Sequence, residues 1–157
     1  MRSKQFLLNV LVLFAAVAAQ AARVDTVRVN SPAMKKEVQV VYVLPDKALD
    51  KKAEACPTVY LLHGFGGNAR TWVGIKPDLG KIADEKGIIF VCPDGKNSWY
   101  WDSPKNPDYR YETFVSSELV KYTDEHYATV PEKKARAITG LSMGGHGALW
   151  VAIRHHD

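Results

Sequence analysis

The stretch Ala135-Arg136-Ala137-Ile138-Thr139-Gly140-Leu141-Ser142-Met143-Gly144-Gly145-His146-Gly147-Ala148 decides the fold. Its first five residues have the pattern of a strand, and Ala148 to Arg154 has that of a helix. Between them, Gly140-x-Ser142-x-Gly144 fits a tight strand-to-helix turn that holds its serine in a strained backbone conformation. Side chains beside that serine would collide, which accounts for the flanking glycines. A loop of glycine and serine that merely bends a chain has the same letters, but only the turn needs a strand before it and a helix after it. The turn exposes the Ser142 hydroxyl at the C-terminal edge of a sheet. The Met143 N–H and the helix N-terminus then face the point where charge develops during attack on a carbonyl. Ser142 is therefore the candidate nucleophile, and Met143 a candidate backbone oxyanion donor.

Upstream, Thr58 to Leu62 and Ile88 to Cys92 are continuous apolar runs, expected of strands buried on both faces of a parallel sheet. Pro77 to Lys86 lies between them with Leu79, Ile82 and Ala83 at the spacing of one helical face, and Gly87 stands at the stop position. The amphipathic stretch Glu112 to Tyr127, with Val115, Leu119, Val120 and Tyr122 as its stripe, then leads into the strand at Ala135. Val24 to Val29 and Glu37 to Leu44 alternate around the turn signal Asn30-Ser31-Pro32 and form an antiparallel opening pair. Asp46 to Glu54 carries no period and is expected as a surface loop. The fold class that follows is α/β, a mostly parallel sheet with helices on both faces.

Two further segments carry chemistry. His63-Gly64-Phe65-Gly66-Gly67 directly follows a strand, and its glycines let the backbone turn an N–H inward; Phe65 is the second candidate oxyanion donor. A plain turn would also use glycines, but a dinucleotide fingerprint is excluded because Gly-x-Gly-x-x-Gly spacing is absent. Pro93 to Tyr111 holds Trp99, Tyr100, Trp101, Tyr109 and Tyr111 among Asp94, Asp102 and Asp108. It leaves the strand edge where ligands bind in open α/β sheets. Trp99 and Trp101 are candidate substrate contacts for sugar rings or aryl groups; packing a lid onto the sheet is the other reading.

The composition fits one globular domain: 157 residues, 46% hydrophobic, 21 Lys+Arg against 17 Asp+Glu. Residues 1–21 have a basic start, an apolar run from Phe6 to Ala19 and the small-x-small end Ala19-Gln20-Ala21, the pattern of a cleaved signal peptide. The domain would then be 22–157, its net charge falling from +4 to +2 as Arg2 and Lys4 leave. That is no basic stripe for nucleic acid, and no later apolar run is long enough to cross a membrane. A secreted or periplasmic protein is expected. Cys56 and Cys92 fall at opposite ends of adjacent strands, beyond the ~7 Å that a disulfide spans, so two free, mostly buried thiols are expected. No histidine or cysteine has metal-ligand spacing, and no cofactor is implied.

These residues together resemble the esterase D-like branch of the α/β-hydrolases, which includes S-formylglutathione hydrolases, feruloyl and acetyl xylan esterases and the antigen 85 mycolyltransferases. The resemblance rests on His63 to Gly67, Pro93-Asp94-Gly95, Ser98-Trp99-Tyr100, Asp102-Ser103, Tyr111-Glu112, Glu118-Leu119 and Gly140 to Ala148. It implies a serine carboxylesterase with Ser142 as nucleophile and Phe65 and Met143 as oxyanion donors. With export, an ester of plant cell-wall carbohydrate is the expected substrate, of the feruloyl or acetyl xylan esterase type. Acyl transfer to a sugar, S-formylglutathione hydrolysis and a non-catalytic carbohydrate-binding remnant are the alternatives.

In that fold the order is serine, acid, histidine. His63 precedes the serine, which suits a structural histidine bonding its loop better than a base. Only fifteen residues follow Ser142. His146, His155 and His156 belong to the serine's own helix, the last two roughly 20 Å away at ~1.5 Å per residue. The expectation is an N-terminal part of the fold, incomplete at its C-terminus and barely active by itself.

Overall fold

A computed structural model describes residues 22–49 and 53–156. The expected leader at 1–21 lies outside the described residues. β1 (Arg23–Ser31) and β2 (Lys36–Leu44) form an antiparallel hairpin in unbroken register from Arg23↔Leu44 to Ser31↔Lys36. It turns at Pro32–Lys35, with Lys35 at φ 52°, so the strands run past the expected turn at Asn30-Ser31-Pro32. Then come β3 (Thr58–Leu62), α1 (Thr71–Ile75), α2 (Leu79–Lys86), β4 (Ile89–Pro93), α3 (Tyr111–Thr113), a π-helical turn (Phe114–Glu118), α4 (Leu119–His126), β5 (Arg136–Gly140) and α5 (Met143–Arg154).

The sheet order is β1-β2-β4-β3-β5. β3 runs parallel to both β4 and β5, while β2 pairs antiparallel with β4, giving a parallel core edged by a hairpin. Alternating side chains divide the interior. Val41, Val43, Leu61, Phe90 and Cys92 pack with Leu79 and Ala83 of α2 on one face. Tyr42, Leu62, Val91, Phe114, Leu119, Met143 and Ala148 pack on the other, beneath α3, α4 and α5. Helices thus cover both faces, as the α/β reading requires. α2 stops at Gly87, whose φ of 61° a glycine adopts without strain.

Several sequence expectations shift. β4 starts and ends one residue later than the apolar run at Ile88. The helix expected from Glu112 opens at Tyr111, and its π turn rotates the buried stripe to Phe114, Val115, Leu119 and Thr123, leaving Val120 and Tyr122 half-buried. β5 is at most half-buried, because among the described residues nothing pairs with its outer edge. α5 ends at Arg154, so His155 and His156 lie beyond the helix rather than on it. Cys56 and Cys92 are free and buried. Among the described residues, no helix is long and apolar enough to cross a membrane.

Candidate active site

β5 delivers the chain to Gly140, and Leu141 N–H continues the parallel ladder to Leu62 O at 3.1 Å. Ser142 then takes φ 53°, ψ −115°, and α5 begins at Met143. A non-glycine residue in this region costs about 1–3 kcal/mol and persists only where its surroundings enforce it. The enforcement is close packing: a methyl on Gly144 would fall against the Leu62 backbone and 2.8 Å from His63 O, and one on Gly140 would lie 2.8 Å from Gly144 Cα. Gly144 N–H donates to Leu141 O at 2.8 Å and His146 N–H to Ser142 O at 3.1 Å, closing the turn. Ser142 is left exposed at the C-terminal end of the strand.

The loop after β3 lies against this turn. A methyl on Gly64 would sit 3.5 Å from Ser142 Cβ and 3.2 Å from Leu141 O. Gly66, at φ 77°, donates its N–H to Asn97 Oδ1 at 2.8 Å, and Gly67 N–H reaches back to Gly64 O at 3.0 Å. The Phe65 side chain is 65% exposed. Its N–H donates to no described residue, and neither does that of Met143, which as the first residue of α5 has no intrahelical acceptor. Two uncommitted N–H groups therefore flank the serine, one from each loop. Of the expected site residues, Ser142, Met143 and the Phe65 loop come together here.

His63 is completely buried at the root of the same loop. Its Nδ1 lies 2.7 Å from Gly64 O, and its Nε2 accepts Gly95 N–H at 2.9 Å. Asp94 Oδ1 stands 3.6 Å from Nε2. Burial alone would push the Asp94 carboxyl up, but the ammonium and backbone N–H of Lys96, both hydrogen-bonded to it, hold it below the usual aspartate range.

Trp99 and Trp101 are 45% and 47% exposed. Both rings meet His146, one turn along α5 from the serine, with centroids 5.4 Å apart in each case, and Trp101 also reaches Trp150 at 5.5 Å. The result is an open aromatic patch beside Ser142. Tyr100, between the two tryptophans, is wholly buried and donates to His63 O at 3.2 Å. Trp99 and Tyr100 both have positive φ, 57° and 60°, so the tyrosine turns inward while its neighbours face solvent. The sequence reading missed this anchor. Its one signal was the pair Gly95 and Gly147, where a methyl would come within 2.8 Å of Tyr100 Oη and of Tyr100 Cβ.

It also missed Glu112, which accepts from Trp150 Nε1 (2.7 Å) and Arg154 Nε (2.7 Å) and meets His155 Nε2 at 2.9 Å. His126 and His156 engage backbone carbonyls and His146 Nδ1 is buried without a partner, so with His63 and His155 engaged as above no described histidine ring is hydrogen-bonded to Ser142. A cleft of about 710 Å³ lies off β5 among Tyr60, Val115, Ile138, Val151 and His155, away from the serine and its donors. Among the described residues no metal-binding cluster of His, Cys, Asp or Glu forms.

Known proteins resemble this chain over most of its length. The Esterase family model matches residues 31–157. The chain belongs to the Esterase family. An acetyl esterase of Caldicellulosiruptor saccharolyticus is 31% identical over 134 residues, covering 80% of this chain and 49% of that protein. An S-formylglutathione hydrolase from Agrobacterium tumefaciens superposes with a TM-score of 0.73 at 26% identity, over 85% of this chain and 54% of that one. A ferulic acid esterase gives 0.72 at 28% identity, over 87% and 57%. The two solved structures share the α/β-hydrolase fold expected from the sequence. The chain spans about half the length of each.

Proposed function

We propose that this Esterase-family chain carries the nucleophile and oxyanion site of a serine carboxylesterase. The observation that supports it most is the convergence of a strained, exposed Ser142 with two free backbone donors, Phe65 N–H and Met143 N–H. Ser142 Oγ bonds to the ester carbonyl carbon as its proton passes to a base, and the carbonyl oxygen takes the negative charge between the two N–H groups. Collapse expels the alcohol, which recovers the proton; water then attacks the acyl-enzyme and releases the acid. Preorganised donors matter because they are already aimed where charge develops, and each is worth about 10²–10³ in rate.

The base and its carboxylate partner are assigned to residues outside those described, consistent with relatives about twice as long. By themselves, the described residues would then retain at most the residual catalysis of an oxyanion site, about 10³–10⁴ over water. The segment at 1–21 is assigned to export, placing the protein outside the cytoplasm. The substrate is assigned as an acyl ester of plant cell-wall carbohydrate, feruloyl or acetyl. Its support is the open Trp99–Trp101 patch, whose faces suit a sugar or aryl ring, together with the acetyl and ferulic acid esterases among the relatives.

The test is hydrolysis of p-nitrophenyl acetate and of acetylated or feruloylated xylan by the complete gene product. Ser142→Ala should cost about 10⁶ in kcat, the scale of losing a triad nucleophile, and should abolish fluorophosphonate labelling. Undiminished labelling of the alanine variant would sink the nucleophile assignment.

A further inference from the structure

We propose that His63 is a positioning residue for the oxyanion site: a neutral imidazole protonated on Nδ1, whose bond to the Gly64 carbonyl aims the Phe65 N–H. The inference rests on the esterase reading above. Its first step is the tautomer. Nε2 accepts Gly95 N–H at 2.9 Å, which occupies that nitrogen's lone pair. The ring proton therefore sits on Nδ1, which lies 2.7 Å from Gly64 O and donates to it. Asp94 Oδ1, at 3.6 Å, is beyond hydrogen-bond reach of Nε2, which leaves Gly95 N–H as that nitrogen's partner among the described residues.

The second step is the peptide plane. Gly64 C=O and Phe65 N–H belong to one trans peptide unit and point in opposite directions. Pinning the oxygen aims the hydrogen. Gly64 O is pinned twice, by His63 Nδ1–H and by Gly67 N–H at 3.0 Å. Gly64 also packs against the elbow, the strand-to-helix turn that carries Ser142: a methyl on Gly64 would sit 3.5 Å from Ser142 Cβ. The aim of Phe65 N–H is thus set next to the nucleophile by a buried ring that never meets substrate. Loss of the ring bond would free the plane to tilt, since glycines on both sides of Phe65 offer little resistance.

The kinetic test uses the complete gene product and p-nitrophenyl acetate. His63→Asn places an amide N–H near the Nδ1 position and keeps the bond to Gly64. His63→Gln places an amide oxygen near Nε2, which keeps the bond from Gly95 and gives up the donor. The glutamine variant should lose about 10- to 100-fold in kcat, short of the ~10²–10³ for deleting an oxyanion donor. KM should stay within about twofold, since the donor acts in the transition state. The asparagine variant should stay within about threefold of the parent in kcat, a rescue that a merely packed ring would not show. Equal losses in the two variants, or a loss confined to KM, would overturn the inference.

NMR of the ring nitrogens in the unmodified protein gives a readout that does not depend on the variants folding. Nδ1 should be protonated and Nε2 bare; the opposite tautomer overturns the inference. Turnover that survives Ser142→Ala overturns the esterase reading instead, and the tautomer still decides the His63 geometry.

Discussion

Gly140 and Gly144 face one another across the turn that carries Ser142, and both are there because backbone occupies the space a Cβ would need. At Gly144 the obstacle is the carbonyl of Leu62 and that of His63, which cannot rotate away as a side chain could. Gly144→Ala must therefore move α5 off β3, and overpacking of this kind costs about 1–3 kcal/mol, occasionally more. Gly74, in the exposed helix α1, has nothing within 4 Å of its missing Cβ. Gly74→Ala should instead stabilise by about 0.5–1 kcal/mol, from the lower conformational entropy of the unfolded chain and better helix propensity. Urea denaturation of the two variants checks the opposite signs. A Gly144→Ala midpoint at or above the parent's would mean the elbow is looser than its contacts indicate.

α5 is fixed at its start by the elbow and at its end by Glu112 on the first turn of α3. Burial would raise the Glu112 carboxyl, but Arg154, Trp150 and His155 more than offset it and hold it below the usual glutamate range. A depressed folded value means the tie is complete above the unfolded glutamate pKa of about 4.3 and is lost as pH falls through the folded value beneath it. Glu112→Gln should lower stability by about 1–3 kcal/mol at pH 7, the range for hydrogen bonds to a charged group, with the half-exposed Arg154 contributing little. The gap in urea midpoint should persist down to about pH 4.3 and close below it. A gap that stays constant to lower pH would remove Glu112 as the source.

The elements that were legible in the sequence were those set by local chemistry. Thr58–Leu62 needed only its unbroken apolar run, and the elbow needed only its glycines. Glu112 looked like one more solvated charge at a helix start, because its three partners lie 38 to 43 residues away. Tyr100 was hidden for the same reason: nothing local separates an inward tyrosine from the outward tryptophans beside it until two positive φ angles turn the chain. The rotation of the α3–α4 stripe was illegible because a π turn breaks the 3.6-residue period on which the reading depends.

Across the whole molecule, burial falls from the middle of the sheet to its β5 edge. All five residues of β4 are buried between β2 and β3, whereas β5, which carries the nucleophile, is covered on one side and open on the other. The two free thiols sample this gradient. Cys92 sits within β4 beneath α2, and burial alone pushes its thiol up to about 12. Cys56 lies in the lead-in to β3, tied by its N–H to Ala128 O and by its carbonyl to Val130 N–H, with its thiol also raised, chiefly by burial. Because the thiolate is the reactive form, neither should react readily with a disulfide reagent at pH 8 in the native state. Cys56 needs only the short bridge to Thr129 to open, so mild urea should label it first. Cys92 needs α2 lifted or β4 unpaired, so its labelling should track global unfolding measured by circular dichroism. Site-resolved mass spectrometry across a urea series separates the two. Cys92 reacting ahead of Cys56 would put the weak point at the centre of the sheet. The serine would then hang from a scaffold that opens as a unit, not from the least covered strand of a rigid one.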